Sequence, residues 1–444
     1  MWTLLKIFLH PGSRVLGSRV QGIAALSASV VLWPMVTSVV AQDLVDAQDL
    51  VPAEGAETDG PKDASGKPLP VLVPEAAAGE PEVVPITPEQ EGPIRAFIEA
   101  RDQWADTLVA MKAASIRFSN KEGNADEHKK AYRELRDRAR VEMNVTFDRA
   151  MDLLRVRKED FEAGAMIATM LDYRASNSLY ENSYEAAEMM LEAGVTYPFL
   201  YLIAARTALL EGKYDQVMKH YNALVELHGV EKLEDVDKMV ASIVEVYPKF
   251  WDAEKKLLEA EAKADDLPRV LLETSRGPVT VELFENEAPN TVANFIKLVE
   301  DGYYDGADFY QVVDDFLAMG GDPVGDGTST SGHFIPDEHD HPQARQLFRG
   351  YLVMAKVPDP RDSKTYVANS ASSQFAIALM PMIRENRPQT VFGRVIEGMD
   401  VVASFRRVDP TEKKEKSVQL PPDRIETAKV LRKRDHEYKV EYVK

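Results

Sequence analysis

The 444-residue sequence contains no cysteine, which excludes disulfides, thiolate nucleophiles and zinc sites built on cysteine sulfur. On its own, that absence does not distinguish an oxidising from a reducing compartment. Positive charge is also scarce: 53 Lys and Arg face 73 Asp and Glu, for a formal charge of -20. Because nucleic-acid affinity rests on cationic side chains releasing counterions from phosphates, no nucleic-acid partner is expected. Glycine and proline, at 24 and 26 residues, are too few for a collagen-like or wholly disordered chain. With 45% hydrophobic and 28% charged residues, the chain has ample material for globular cores. Its length exceeds one ordinary domain and predicts two or three.

Acids are missing altogether from residues 1–41, which carry Lys6, Arg14 and Arg19, an apolar run from Ile23 to Val40, and small residues ending at Ala41. This is a secretory signal pattern with a cut expected after Ala41. The run is also near the minimum of about 17–20 residues for a membrane span, so an uncleaved anchor is the alternative. The expected location is therefore exported, periplasmic or extracellular, and membrane-anchored if the segment is not cleaved. Residues 42–91 hold eight prolines, twelve acids and two lysines, too little apolar surface to offset chain entropy. They read as a disordered acidic linker with an end-to-end distance of about 40 Å.

Over residues 92–267 apolar side chains recur every three or four positions, as in Ile94, Phe97, Ile98, Trp104, Ala105 and Leu108, then Phe147, Met151 and Leu154. That period predicts an all-α module. Tyr180 and Tyr214 stand 34 positions apart and Gly212-Lys-Tyr214 forms a turn-like junction, so this part resembles tetratricopeptide repeats over one or two units. A plain helical bundle fits the same residues. As a repeat array, the module would offer a concave face to a protein partner. Tyr173, Tyr180, Tyr184, Met189 and Met190 are expected in its core.

From Val270 the period falls to two. Val270 to Ser275, a turn at Arg276-Gly277, and alternating Val279, Val281 and Leu283 predict a hairpin. Pro289 then suits the first turn of a helix with Val292, Phe295, Ile296 and Val299 on one face. The blocks Glu282-Leu-Phe-Glu-Asn-Glu-Ala-Pro-Asn-Thr-Val-Ala-Asn-Phe295, Gly302-Tyr-Tyr-Asp-Gly306, Gly320-Gly-Asp-Pro323, Ile335-Pro-Asp-Glu338, Ser370-Ala-Ser-Ser-Gln-Phe375 and Val391-Phe-Gly-Arg-Val395 follow in order. Residues 268–444 thereby resemble the cyclophilin family of peptidyl-prolyl cis-trans isomerases. The resemblance implies a closed eight-stranded antiparallel β-barrel capped by two helices. The chain is thus expected to be multidomain, a repeat-like helical module followed by this barrel. The resemblance further implies binding of Xaa-Pro peptides or client proteins, with no cofactor and no metal.

The family's isomerase site relies on an arginine in a Phe-His-Arg block, and here the block reads Phe309-Tyr310-Gln311. Gln311 thus stands at the catalytic position, with Phe316 and Gln374 as its retained companions. Substrate-binding positions implied by the resemblance are Leu317, Met319 (a glutamine in the family), Ala355, Lys356 (commonly asparagine), Ala376 (phenylalanine), Arg384 (tryptophan or histidine), Glu385 (leucine) and Gln389 (histidine). Trp2, Trp33, Trp104 and Trp251 all precede this region, so weak or no cyclosporin binding is expected. Weakened catalysis is expected from Gln311. Arg384 is a candidate to swing inward with the missing guanidinium, although a solvated arginine is the ordinary outcome. A non-catalytic proline-peptide reader is the alternative function. Val357 to Ala368 reads as an inserted turn-rich loop. His333, His339 and His341 beside Asp337, Glu338 and Asp340 have the side-chain types of a metal site, but they flank a family loop. Gly320 to Gly332 lacks the Gly-Lys-Ser/Thr of a phosphate loop.

Overall fold

The computed structural model describes residues 86–120, 123–384, 387–408 and 421–443. The expected leader, all of the expected linker before residue 86, and Glu385 lie outside them. The chain divides into two compact units, the first running to Met170 and the second holding Leu171 to Lys444.

The described part of the first unit is built on two 32-residue helices, α1 (Pro88–Ser119) and α2 (Ala125–Val156). Helix α1 starts inside the stretch expected to be linker. Gln90 is the reason: its side chain accepts the Thr87 N–H at 3.1 Å, satisfying an otherwise orphaned donor at the helix start. Asn124 caps α2 by accepting the Asp126 N–H at 2.9 Å. The helices run antiparallel, with Gln103 bonded to Glu142 and the Thr146 hydroxyl to the Ala100 carbonyl. Phe97, Trp104, Leu108, Phe147, Met151 and Leu154 are buried, but Ile98, expected on the same face, points outward.

Helix α3 (Phe161–Ser176) leads into the second unit. There follow α4 (Tyr184–Glu192), α5 (Pro198–Leu210), α6 (Tyr214–His228), α7 (Asp235–Ile243) and α8 (Tyr247–Ala264). Tyr180 lies in the loop before α4, whereas Tyr214 opens α6, so their spacing joins unlike positions. Tyr180, Tyr184 and Met190 are buried as expected; Tyr173 and Met189 are half-buried.

The sheet begins with the predicted hairpin, β1 (Arg269–Thr274) and β2 (Gly277–Leu283), followed by the predicted helix α9 (Pro289–Glu300). The remaining elements are β3 (Gln311–Val313), β4 (Leu317–Gly320), β5 (Tyr351–Met354), β6 (Pro358–Asp359), β7 (Asp362–Tyr366), β8 (Phe375–Ala378), β9 (Val391–Glu397), α10 (Met399–Ala403) and β10 (Ile425–Arg432). Eight strands form one sheet in the order β10-β1-β2-β9-β5-β8-β4-β3, and every named pair is antiparallel. Among the described residues the end strands are not joined by the continuous ladder that a closed barrel requires. Instead Gly306 N–H donates to Ile425 O, Ile425 N–H to Ala307 O, and Phe309 N–H to Asp423 O, just before β3 and around the start of β10. The inserted segment is a two-stranded hairpin, β6-β7, rather than a loop. Asp359 holds its turn by accepting the Arg361 N–H at 2.9 Å.

One apolar core lies on the inner face of the sheet. Val281, Val312, Ala318, Leu352, Ile377 and Phe392 meet Val292, Phe295 and Ile296 of α9 and Val402 of α10. Phe295 is at its centre, with the rings of Tyr304, Phe392 and Phe375 at 5.1, 5.2 and 5.5 Å. Side chains alternate between faces along a strand, so the residues flanking these positions belong to the outer face.

Candidate functional site

That alternation places Gln311, Met319, Ala376 and Val353 on the outer face. The strand registers pair Gln311 with Met319, Met319 with Ala376, and Ala376 with Val353, forming one cross-strand row over β3, β4, β8 and β5. Three positions at which the sequence departs from the family pattern are therefore immediate neighbours. Gln311 is 4% exposed, Met319 5% and Ala376 3%, so all three side chains are buried. Leu317, two residues from Met319 and paired with Ala378, lies on the same face and is half-buried, as is Phe316.

Gln374 precedes β8 and is fully engaged. It accepts the Tyr310 hydroxyl at 2.8 Å and donates its amide to the carbonyls of Gly327 (3.2 Å) and Ser329 (2.6 Å). The glycine-rich loop thus lies against the site. A Cβ at Gly327, where φ is +81, would meet the Tyr310 ring at 3.0 Å. Asp322 holds this loop by accepting the N–H groups of Val324 and Gly327 at 2.9 and 2.6 Å. Burial, then Asp322 and Asp326, raises the Tyr310 pKa, keeping its hydroxyl a proton donor. Ala355 N–H donates to the Gln374 carbonyl at 2.9 Å. Lys356 is turned away from solvent, with Nζ 2.6 Å from Asp337 and 3.0 Å from the Pro388 carbonyl.

Arg384 does not turn inward. Its side chain is exposed, and its backbone N–H donates to Gln346 at 3.0 Å. The buried guanidinium in this segment is that of Arg387, which no sequence motif singles out. It is 9% exposed, its Nη2 donates to the Met382 carbonyl, and its Nε has no partner. Burial, and then Arg384, lowers its pKa to about 10, against a small opposing influence of Tyr366. Gln389 and Arg387 line a cavity of about 210 Å³ with Glu338, His339, His341, Arg345 and Gln346. Of the cluster weighed in the sequence, Glu338, His339, Asp340 and His341 border this cavity, whereas His333 packs against the Tyr442 ring and Asp337 pairs with Lys356. Among the described residues, no group of three or more His, Asp or Glu is arranged to hold a metal.

The turn between β3 and β4 is held by the helices of its own unit. Asp315, at φ +51 in the left-handed region that favours glycine, accepts the Tyr180 hydroxyl and, at 2.8 Å, Arg206 Nη1. Its N–H donates to Ser178 Oγ at 3.2 Å. Burial works against the Arg206 charge, but Asp237, Tyr180 and Asp315 outweigh it and hold its pKa well above the usual value. Asp315 immediately precedes Phe316, so this ion pair fixes the entry to β4. Sequence reading missed Asp315, Arg206 and Tyr310; the only local signal was an acid where a tight turn calls for glycine.

The family model for cyclophilin type peptidyl-prolyl cis-trans isomerases matches residues 269–430. A peptidyl-prolyl cis-trans isomerase of Synechococcus elongatus is 38% identical over 146 residues, which is 32% of this chain and 92% of that one. A peptidyl-prolyl cis-trans isomerase-like 1 protein of Neurospora crassa is 36% identical over 171 residues, 38% of this chain and 97% of that one. Among solved structures, a Cryptosporidium parvum cyclophilin type isomerase aligns with a TM-score of 0.31 at 25% identity, covering 37% of this chain and 97% of that one. The chain belongs to the cyclophilin-type peptidyl-prolyl cis-trans isomerase family through its carboxy-terminal region. Residues 86–268 lie outside that match.

Proposed function

We propose that this chain is a peptidyl-prolyl isomerase with a slowed chemical step, acting on Xaa-Pro segments of exported client proteins. The observation that carries the reading is the outer-face row of Gln311, Met319 and Ala376. Twisting an Xaa-Pro bond means crossing a barrier of about 18–20 kcal/mol set by its double-bond character. A donor placed at the twisted amide lowers that barrier, and a charged donor binds about twice as strongly as a neutral one. Gln311 supplies at most a neutral amide. Phe316 and Leu317, both half-buried, supply apolar surface for a proline ring. Export rests on the signal pattern in residues 1–41, and the helices outside the family match are the region for a protein partner. The lack of a rim tryptophan, with Arg384 in its place, supports weak or no cyclosporin binding.

A non-catalytic proline-peptide reader is the second reading, and the engagement of Gln374 by Tyr310, Gly327 and Ser329 favours it. Exchange between cis and trans Xaa-Pro peptides, followed by NMR with the full chain and its Gln311→Arg variant, separates the two. The full chain is needed because the helices hold the β3-β4 turn. Acceleration by the unmodified chain, raised by roughly 10²–10³ in the variant, is expected from gain of one preorganised donor. Peptide binding without acceleration in either protein would establish the reader instead.

A further inference from the structure

The cavity beside Gln389 is lined by a guanidinium that makes no ion pair among the described residues. Arg387 is 9% exposed and lines this cavity, yet no carboxylate pairs with it among the described residues. Among the described residues its single hydrogen bond goes to the Met382 carbonyl, and Nε is unpartnered. Burying an unpaired charge is strongly unfavourable, so some group is expected to complete the site.

The acids that line the cavity are Glu338, Glu287 and Asp340, and Glu287 keeps Oε2 buried without a partner among the described residues. Glu338 accepts the N–H groups of Asn290 and Thr291 at 2.9 and 2.7 Å, at the start of α9. Glu287 pairs with Arg345 at 3.1 Å, and Asp340 is exposed. The amide of Gln389 makes no hydrogen bond among the described residues, and Gln346 uses only its oxygen, on the Arg384 N–H. One buried guanidinium and two amide NH2 groups with no acceptor among the described residues therefore border a volume of about 210 Å³, enough for a carboxylate and a short aliphatic stem.

We propose that this cavity is a carboxylate subsite, in which Arg387 receives an acidic group of the bound peptide. The carboxylate comes from an Asp or Glu side chain near the proline or from the peptide's own carboxy terminus. This rests on the proposed peptide-binding function, since Gln389 belongs both to the cavity and to the implied substrate positions.

The test uses the full chain and short blocked Xaa-Pro peptides carrying Glu or the isosteric Gln on either side of the proline, each with a free or an amidated carboxy terminus. Binding is followed by NMR. The Glu or free-carboxylate peptide is expected to bind about tenfold more tightly than its neutral counterpart, as one charge-assisted contact warrants. That preference should vanish in Arg387→Gln and persist in part in Arg387→Lys. Which peptide shows it identifies the source of the carboxylate. A preference unchanged in Arg387→Gln would overturn the proposal. If no peptide binds, the groove reading fails by itself, and acetate titrated against the Arg387 Nε–H resonance tests the cavity alone. A saturable shift is expected; its absence would overturn the subsite.

Discussion

Two halves of one sheet surface have been put to different uses. On the outer face of β5, β9, β2, β1 and β10, the registers join Tyr351, Arg394, Glu282, Arg269 and Arg432 into a charged row. Helix α8 is seated on it. Glu254 accepts the Tyr351 hydroxyl at 2.7 Å, and Asp265, just past the helix end, pairs with Arg269 and Arg432 at 2.8 and 2.9 Å. Arg345, 4% exposed, meets Glu254, Glu261 and Glu287. Trp251 and Tyr247 pack their rings against Phe348 at 5.0 and 5.6 Å. On β3, β4 and β8 the same face instead carries Gln311, Met319 and Ala376, neutral and small or flexible. In the first half each of these buried charges has a partner. In the second the guanidinium expected of the family has gone, and a different one, Arg387, is buried with no counter-charge among the described residues. A shared inner core thus leaves one half of the outer face free to become a helix dock and the other free to change its chemistry.

The sharpest way to break this comparison is to remove the hub of the docked half. Arg345→Ala would leave three buried carboxylates facing one another. Removing one partner from a buried ionic cluster costs about 3–5 kcal/mol, and we expect a loss of that size in equilibrium denaturation by urea. The released helices should also show faster amide exchange in α8 than in β5 or β8. A loss below about 1 kcal/mol, the range of exposed pairs, would mean that the dock is held by Trp251 and Phe348 rather than by charge.

On the other half, restoring the family's aromatic wall has a smaller expected cost. Ala376 is already 3% exposed and enclosed by Met319 and Val353. Ala376→Phe must displace them, and overpacking costs about 1–3 kcal/mol. A stability unchanged in Ala376→Phe would show that the row retains room for a proline ring. Pairing it with Met319→Ala should recover part of the loss, because the two side chains are cross-strand neighbours whose effects are not additive.

The two halves also differed in how far the sequence exposed them. The alternation of Val279, Val281 and Leu283 was enough to place β2, and Pro289 marked the start of α9, because both signals are local. The groove row emerged from matched blocks, yet its adjacency depends on three registers that no spacing reveals. Glu254 and Glu261 have the sequence appearance of a solvated helix face. Their partner Arg345 lies 91 and 84 positions away, and ion pairing over such separations leaves no period to read. The hairpin β6-β7 escaped because its strands are two and five residues long and Pro358 argues for a turn. Arg387 escaped because its significance lies in the missing partner, which only packing discloses.

The smallest effect sharpens the question of whether the groove is poised for a ligand. Tyr310→Phe removes one hydroxyl, the donor that Gln374 accepts at 2.8 Å. A net hydrogen bond contributes about 1 kcal/mol, and Gln374 is only half-buried, so water can replace the lost donor and keep the cost near or below that figure. The informative measurement is peptide affinity. If Tyr310 and the Gly327 and Ser329 carbonyls withhold Gln374 from substrate, freeing one of these three contacts should tighten Xaa-Pro peptide binding by several-fold while stability falls slightly. Weaker binding would instead mean that Tyr310 orients Gln374 for the peptide, making the network a preformed part of the site.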